Sequence, residues 1–395
     1  MRIRFRRCAA AVSVAAITLV TAGCGGATKD SGAPLDFGPY STQRPDSGYD
    51  DGASLVRGVL AESLRLGEYI VFGSEVSPDV AAERRAITAV GERGLSMYKP
   101  EEQYAAKPFH PYAGFTAESA ETPYLGDHLA HYMLRVTLTA FPDEQSAAGA
   151  AAAMAAKDFG TDDTNTPVSI PDHPTALAHW IPAYAIISSW MAYKSVVISV
   201  YAGTRQPNLD QLTALTSNAY RQQVARLADY SPVKLDELPT LKLDPDKLLT
   251  RLVDTGDNRP DALEFAVYGP RTFALLTSSD PATDAREYST RGVAAIAVSD
   301  NKHLFQFRDA DAAGEFATYL IDAPTVSTYT GMAGVDGAAD ITCSRATQPD
   351  PTESRARRFR CVMTREGFVA VVFSDRDSDV RQLAAAQYAL MRDGR

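Results

Sequence analysis

The chain carries the same pattern twice, and that repetition is the strongest constraint on its fold. In the first half, residues 131–141 alternate apolar and polar side chains as a strand does. Pro142-Asp143-Glu144-Gln145-Ser146 then opens an Ala-rich helix running to Phe159, with Asp143 or Ser146 placed to cap it. Strand-like runs follow at 183–190 and 195–201, and a helix spans 209–227. In the second half, residues 292–299 and 303–307 are strand-like, and Arg308-Asp309-Ala310 opens a helix to about 320. Strands follow around Ile341 and Arg360 and over 368–373, and a last helix covers 378–391. Each half thus runs strand, Phe-x-Asp, Ala-rich helix, further strands, terminal helix. Such a layout predicts an α+β protein: two tandem repeats of an antiparallel sheet with helices packed on one face. Pro232, Pro239 and Pro245 mark the boundary, so the expected domains are 52–238 and 239–395.

The first 51 residues follow a different logic. Arg2, Arg4, Arg6 and Arg7 precede a mainly apolar run, 8–20, that ends at Thr21-Ala22-Gly23-Cys24. That run is shorter than the about 20 apolar residues a membrane-crossing helix needs, so a cleaved export segment, 1–23, fits better. The layout resembles a bacterial lipoprotein signal, cut before a cysteine that then carries lipid. On that resemblance Cys24 is the lipidation site, bearing at least two acyl chains and so anchored stably. An ordinary secretory signal with Cys24 as a bystander is the competing reading. Residues 24–51, rich in Gly, Ser, Pro and Asp, read as a flexible, disordered tether. The expected location is the outer face of the cytoplasmic membrane, with the membrane as partner through the anchor.

The net charge is −10, and cleaving residues 1–23 removes four Arg and no acid. So acidic a body does not suit nucleic acid, which needs clustered Lys and Arg. Cys8 leaves with the signal and Cys24 is taken by lipid, which leaves Cys343 and Cys361 in an oxidising compartment. Each adjoins a strand-like run, and a disulfide between them would close a hairpin worth on the order of 3 kcal/mol.

Signal, tether, paired halves and Ala-Ala helices together resemble a family of uncharacterised actinobacterial cell-envelope lipoproteins. Short runs such as Val267-Tyr268-Gly269-Pro270 add to the likeness. Each half is also loosely similar to the extracytoplasmic sensor domain of actinobacterial serine/threonine kinases. The resemblance implies export and anchoring, and it supplies no catalytic residues.

Motifs for chemistry are sparse. Ser96-Met97-Tyr98-Lys99 matches Ser-x-x-Lys, in which a lysine one helical turn away deprotonates the serine. Ser299-Asp300-Asn301 matches the companion motif, but no Lys-Thr-Gly follows, and this triplet also reads as a hairpin turn. His128, His131, His173 and His179 would have to converge to hold zinc, and His173 sits in a Pro-Asp-His-Pro turn. Asp162 and Asp163 lack the Gly and Glu of a calcium loop. Arg355, Arg357, Arg358 and Arg360 form the one basic cluster, suited to an anion such as a lipid headgroup or a wall glycan, or simply to a solvated loop. Trp180 and Trp190 flank a strand-like run and fit a core as well as a ligand. The expectation is a non-catalytic, lipid-anchored module without cofactor or metal. It would bind an envelope lipid, a glycan or another envelope protein, in a groove between the halves. The alternatives are an assembly role or, further off, a hydrolase using Ser96 and Lys99.

Overall fold

A computed structural model describes residues 34–90, 95, 98–123, 132–256, 258–322, 329–348 and 357–392. Cys24, the export segment and residues 24–33 of the expected tether lie outside them.

The first domain begins with α1 (Leu55–Gly67) and the short α2 (Gly73–Val76), followed by β1 (Ala82–Val90), α3 (Pro100–Ala106), β2 (Ala113–Ala120) and β3 (Tyr132–Ala140). It continues through α4 (Glu144–Phe159), β4 (Thr166–Val168), β5 (Leu177–Ile181), β6 (Ile186–Tyr193), β7 (Val196–Thr204) and α5 (Leu209–Leu227). The second contains β8 (Phe265–Tyr268), α6 (Pro270–Thr277), α7 (Pro281–Thr290), β9 (Val293–Ser299), β10 (Lys302–Phe307) and α8 (Ala310–Asp322). It ends with β11 (Tyr329–Gly331), β12 (Ile341–Ala346), β13 (Phe359–Arg365), β14 (Phe368–Ser374) and α9 (Asp377–Arg392).

Both domains weave these strands identically. Among the described residues the first sheet runs β1-β2-β3-β7-β6-β5-β4 and the second β8-β9-β10-β14-β13-β12-β11. Every neighbouring pair is antiparallel. In each, the third strand feeds a helix, and the last strand returns to pair with that third strand before the terminal helix. The repeat is therefore one of connectivity as well as of local pattern. Its Phe-x-Asp step has a physical reason. Asp143 accepts from Ser146 N at 2.7 Å and Asp309 from Ala312 N at 2.9 Å, so each aspartate caps the helix that leaves its sheet. Phe141 and Phe307 are buried just ahead of those caps.

Helices stand on both faces of each sheet, one layer more than the expected arrangement. In the first domain α3 and α4 cover the face carrying Trp190 and Val197, while α1 and α5 cover the face carrying Ile187, Ile198 and Val200. Period-2 alternation sends successive residues to opposite faces, and here both faces find an apolar helix. Cys343 and Cys361 lie directly opposite one another on β12 and β13 and are disulfide-bonded.

The two halves share one apolar core. Leu64 and Phe115 of the first domain and Phe273 and Leu383 of the second belong to the same buried cluster. Leu238, Leu243, Leu248, Leu249, Leu252 and Val253 of the connecting segment fill the space between. Polar contacts fasten this junction. Glu68, just after α1, accepts from Thr272 N at 2.6 Å and Arg271 N at 3.4 Å at the start of α6. The Val-Tyr-Gly-Pro run is explained there, since a Cβ on Gly269 would lie 2.2 Å from Glu68 Cδ. The Arg271 guanidinium meets both Glu75 oxygens, at 3.1 and 2.9 Å, and lies 4.1 Å from the Phe72 ring centre. Burial would raise the Glu75 carboxyl, but Arg271 and then Arg226 outweigh it and hold it below the usual range.

Residues 34–51, expected to be the rest of a loose tether, instead strap the second domain. Gln382 of α9 donates to Asp36 at 2.8 Å, and Tyr40 donates to Asp379 at 3.0 Å. Asp50 accepts from Leu243 N and Asp244 N, both at 2.9 Å, and Tyr49 donates to Asp244 at 2.7 Å. Leu35, Phe37 and Tyr40 pack on the core, so a segment without periodicity is held by a few aromatic and acidic side chains. Among the described residues no helix is long and apolar enough to cross a membrane.

Replacing Arg271 by Gln should lower stability by about 2 kcal/mol, less than for a fully buried pair because Glu75 keeps some solvent contact. Denaturant unfolding reads the loss, and hydrogen exchange should place it in α2, α6 and β1.

Candidate functional site

The same face of the two sheets is built from opposite chemistry. Under α8 the second sheet presents Phe305, Val362, Val369 and Val371, all buried, with Phe305 5.0 Å from Phe316 between ring centres. His303 in that layer is pushed well below its usual pKa by burial, then by Arg357 and Lys302. Under α3 and α4 the first sheet presents hydroxyls and ions instead. Register puts Thr137 opposite Ser199 and Arg135 opposite Tyr201 across β3 and β7, and Ser188 opposite Tyr201 across β6 and β7.

These side chains line a small pocket of about 20 Å³, room for little more than a water molecule, and it is partly open to solvent. Tyr98, Lys99 and Glu102 close it from the start of α3, and Trp190 lines it from β6. The Tyr98 hydroxyl lies 2.9 Å from Thr139 Oγ1, and Thr137 Oγ1 lies 3.0 Å from Thr116 Oγ1. The Arg135 guanidinium sits 4.7 Å from the centre of the Tyr201 ring, with one nitrogen 3.5 Å from Glu118.

Behind the pocket is a buried ionic cluster. Asp158, at the end of α4, is fully buried and ion-paired with Lys99. His179 Nε2 lies 3.0 Å from Asp158 Oδ2, at an angle that makes the contact close but poorly directed for a hydrogen bond. Its ring stacks on Trp190 at 5.7 Å and meets the edge of Phe159 at 5.6 Å. Burial would raise the Asp158 carboxyl; His179 and then Lys99 reverse that and hold it low. Glu102 shows the opposite outcome. It is 5% exposed, and burial, followed by the charge of Asp158, pushes it up to about 8 against Lys99 and Arg135. Near neutral pH its carboxyl is mostly protonated and can donate a hydrogen bond. Trp190 Nε1, also buried, has no hydrogen-bond acceptor in the protein. The arrangement can orient a small polar group by hydrogen bonds over an aromatic floor.

Of the residues singled out in the sequence, Lys99 belongs to this pocket, committed to Asp158, while Ser96 lies outside the described residues. Ser299-Asp300-Asn301 is the turn between β9 and β10, with Asp300 in the left-handed region at φ 54°. His128 and His131 lie outside the described residues. His173 Nε2 is 3.2 Å from the Ser217 carbonyl, far in role from the buried His179. Asp162 closes its own turn by accepting from Thr164 N at 2.8 Å. Among the described residues no three His, Cys, Asp or Glu side chains are grouped to hold a metal. The arginine cluster divides. Arg360 turns inward, donating to Ser344 Oγ at 3.1 Å and the Leu320 carbonyl at 2.9 Å, with its guanidinium 4.0 Å from the Tyr329 ring centre. Arg357 lies over Phe373 at 4.7 Å, Arg358 is exposed, and Arg355 lies outside the described residues. Sequence reading missed Glu102, Arg135, Asp158 and the pocket serines. Each is an ordinary residue type at an unremarkable spacing; strand register joins Arg135 and the serines, and the packing of α3 and α4 on that face brings in Glu102 and Asp158.

Glu102 and Glu83 have a consequence for stability. Glu83, buried on β1 with Oε1 2.6 Å from Gly73 N and Oε2 without a partner, is likewise pushed to about 8, chiefly by burial. Between the ordinary value of 4.5 and about 8 the folded chain keeps protons that the unfolded chain has released. Stability should therefore fall as pH rises through that window. Glu102→Gln and Glu83→Gln should each flatten the decline in a melting-temperature series across pH, and an unchanged slope would contradict the assignment.

Comparison with known proteins agrees with the two-domain division. Residues 49–243 match the family described as "Domain of unknown function (DUF7373) N-terminal", and residues 248–394 match "Domain of unknown function (DUF7373) C-terminal". No curated protein matches the chain. Among solved structures, the crystal structure of the extracellular domain of PknH from Mycobacterium tuberculosis is similar at 14% identity and a TM-score of 0.31. That match covers 41% of this chain and 94% of that one.

Proposed function

The chain belongs to the DUF7373 family, and we propose that it is a non-catalytic binding module, exported and lipid-anchored at Cys24, that holds a small polar ligand in the first-sheet pocket. The contrast between the two sheets carries this reading. One topology occurs twice, and where the second copy spends the face under its helix on Phe305, Val369 and Val371, the first keeps Ser188, Ser199, Thr137 and Arg135. Polar groups on a covered sheet face cost stability unless they are hydrogen-bonded, so a fold that has an apolar solution and does not use it points to use by a ligand. The Cys343–Cys361 disulfide supports an oxidising compartment. The basic first residues and Cys24 support the anchor.

Two measurements test the reading. Intact-mass analysis of the full chain from an envelope-containing host should show lipid on the mature protein. Cys24→Ala should lack that mass and leave the membrane fraction, whereas equal masses would remove the anchor. Native mass spectrometry of the same preparation should show a retained small molecule, lost in Ser199→Phe while its melting transition persists. A bare mass in the wild-type protein would move the weight to a partner-binding or assembly role.

A further inference from the structure

The binding-module reading, on which this inference rests, requires the pocket to open, because its closed form has room for little more than a water molecule. Most of its wall is fixed. Arg135, Thr137, Ser188, Trp190, Ser199 and Tyr201 stand on β3, β6 and β7, central strands of the first sheet with a neighbour on either side. The remaining wall, Tyr98, Lys99 and Glu102, comes from α3 and the residues just before it.

α3 is held lightly. It has seven residues, of which Glu102 and Ala106 are buried, while Tyr104 on its outer side is 71% exposed. None of its residues belongs to the main apolar core. Ala106, with Tyr98 ahead of the helix, packs in a smaller separate cluster against Ala147, Ala150, Ala151 and Met154 of α4. So short an element with so little apolar burial opens more easily than the sheet beneath it. Its two ends are fixed differently. At the far end Phe109 lies against α4 where only a glycine leaves room, since a Cβ on Gly149 would come 2.3 Å from Phe109 Cε1. His110 then takes the left-handed conformation at φ 58°, and Tyr112 N donates to the Ala140 carbonyl at 3.1 Å as the chain enters β2. At the pocket end the holds are polar: the Tyr98 hydroxyl 2.9 Å from Thr139 Oγ1, the Lys99 ion pair with Asp158, and the buried Glu102 carboxyl.

We propose that α3 is a lid on the first-sheet pocket, pivoting at Phe109 and His110 and latched by Tyr98, Lys99 and Glu102. Glu102 makes the latch sensitive to pH. Facing it are Tyr98 and Lys99, Asp158 on α4 with His179 of β5 behind it, Arg135 of β3 with Glu118 of β2 beside it, and Tyr201 of β7. Burial and then Asp158 raise its carboxyl to about 8, with Lys99 and Arg135 opposing. With α3 swung out, the same carboxyl meets water and returns toward 4.5. The closed lid therefore keeps a proton that the open lid releases, so it is tightest at low pH and loosens as pH rises to about 8 and beyond.

The chain has two tryptophans, so Trp180→Phe leaves Trp190, 2% exposed in the pocket wall, as the sole reporter. Quenching of its fluorescence by acrylamide, an uncharged probe, reads the opening on the full chain in detergent, below the melting transition. The quenching constant should rise several-fold between about pH 6 and about pH 9. Adding Glu102→Gln should keep it low at both values. Adding Gly149→Ala instead, whose Cβ displaces Phe109, should raise it already at about pH 6. No rise with pH, the same rise with Glu102→Gln, or quenching unchanged by Gly149→Ala would each overturn the inference. The two failures separate. A small molecule retained in native mass spectrometry by a protein whose Trp190 quenching ignores pH sinks only the lid, and a bare mass sinks the binding-module reading itself.

Discussion

The pairing of β3 with β7 is the interaction on which the rest depends. The two strands are joined through α4 and three further strands, and they meet over nine residue pairs, from Tyr132↔Thr204 to Ala140↔Val196. That register seats Arg135 beside Tyr201 and Thr137 beside Ser199 on one face, and Val136 beside Val200 and Leu138 beside Ile198 on the other. A slip of one residue would send the pocket's polar groups into the apolar layer under α1 and α5. The buried aliphatic face therefore enforces the geometry of the polar one. The second domain repeats the device with β10 and β14, whose pairs Leu304↔Ala370 and Phe305↔Val369 put apolar side chains on both faces, alongside Lys302, which is buried, and His303.

Duplication makes the difference between the halves interpretable. Strand order, the helix after the third strand, the terminal helix and the aspartate caps are the same, which makes the difference in how each copy fills one layer stand out. The second copy packs it with rings around Phe305 and Phe316 and adds a disulfide between β12 and β13. The first leaves Asp158, Glu102 and Trp190 Nε1 buried with partial satisfaction. Buried polar groups of this kind mark sites where stability gives way to use. The clamp of Glu68 and Glu75 on Arg271 and Thr272, and the strap over 34–51, tie the polar domain to the better-packed one.

Much of the fold was legible because long periodic segments announce themselves. The Ala-rich helix ending at Phe159, the helix over 209–227, the last helix and the strands at β3, β10 and β14 stand within one or two residues of their expected bounds. Other elements were silent. β1 and β2 carry Glu83, Arg84, Arg85, Glu118 and Ser119, which blur alternation. α6 and α7 are short helices that begin at Gly-Pro and Asp-Pro steps, which mark turns as readily as helix starts. Residues 34–51 look like a tether by composition, and they are ordered by contacts with Asp244, Asp379 and Gln382, which no local pattern foretells. The pocket was less legible still. Lys99 entered through a short catalytic motif and is held instead by Asp158, 59 residues away. Asp158 and His179 meet because a helix end and a strand converge, and sequence spacing records neither.

The most direct test of the central claim is a high-resolution electron-density map of the full chain purified gently from an envelope-containing host. The account predicts an oxygen-bearing molecule in the first-sheet pocket, hydrogen-bonded to Arg135 and to Trp190 Nε1, and a side-chain-filled layer at the matching face of the second sheet. A map showing only water in that pocket, with Arg135 closed onto Glu118 and Trp190 Nε1 bonded to that water, would contradict it.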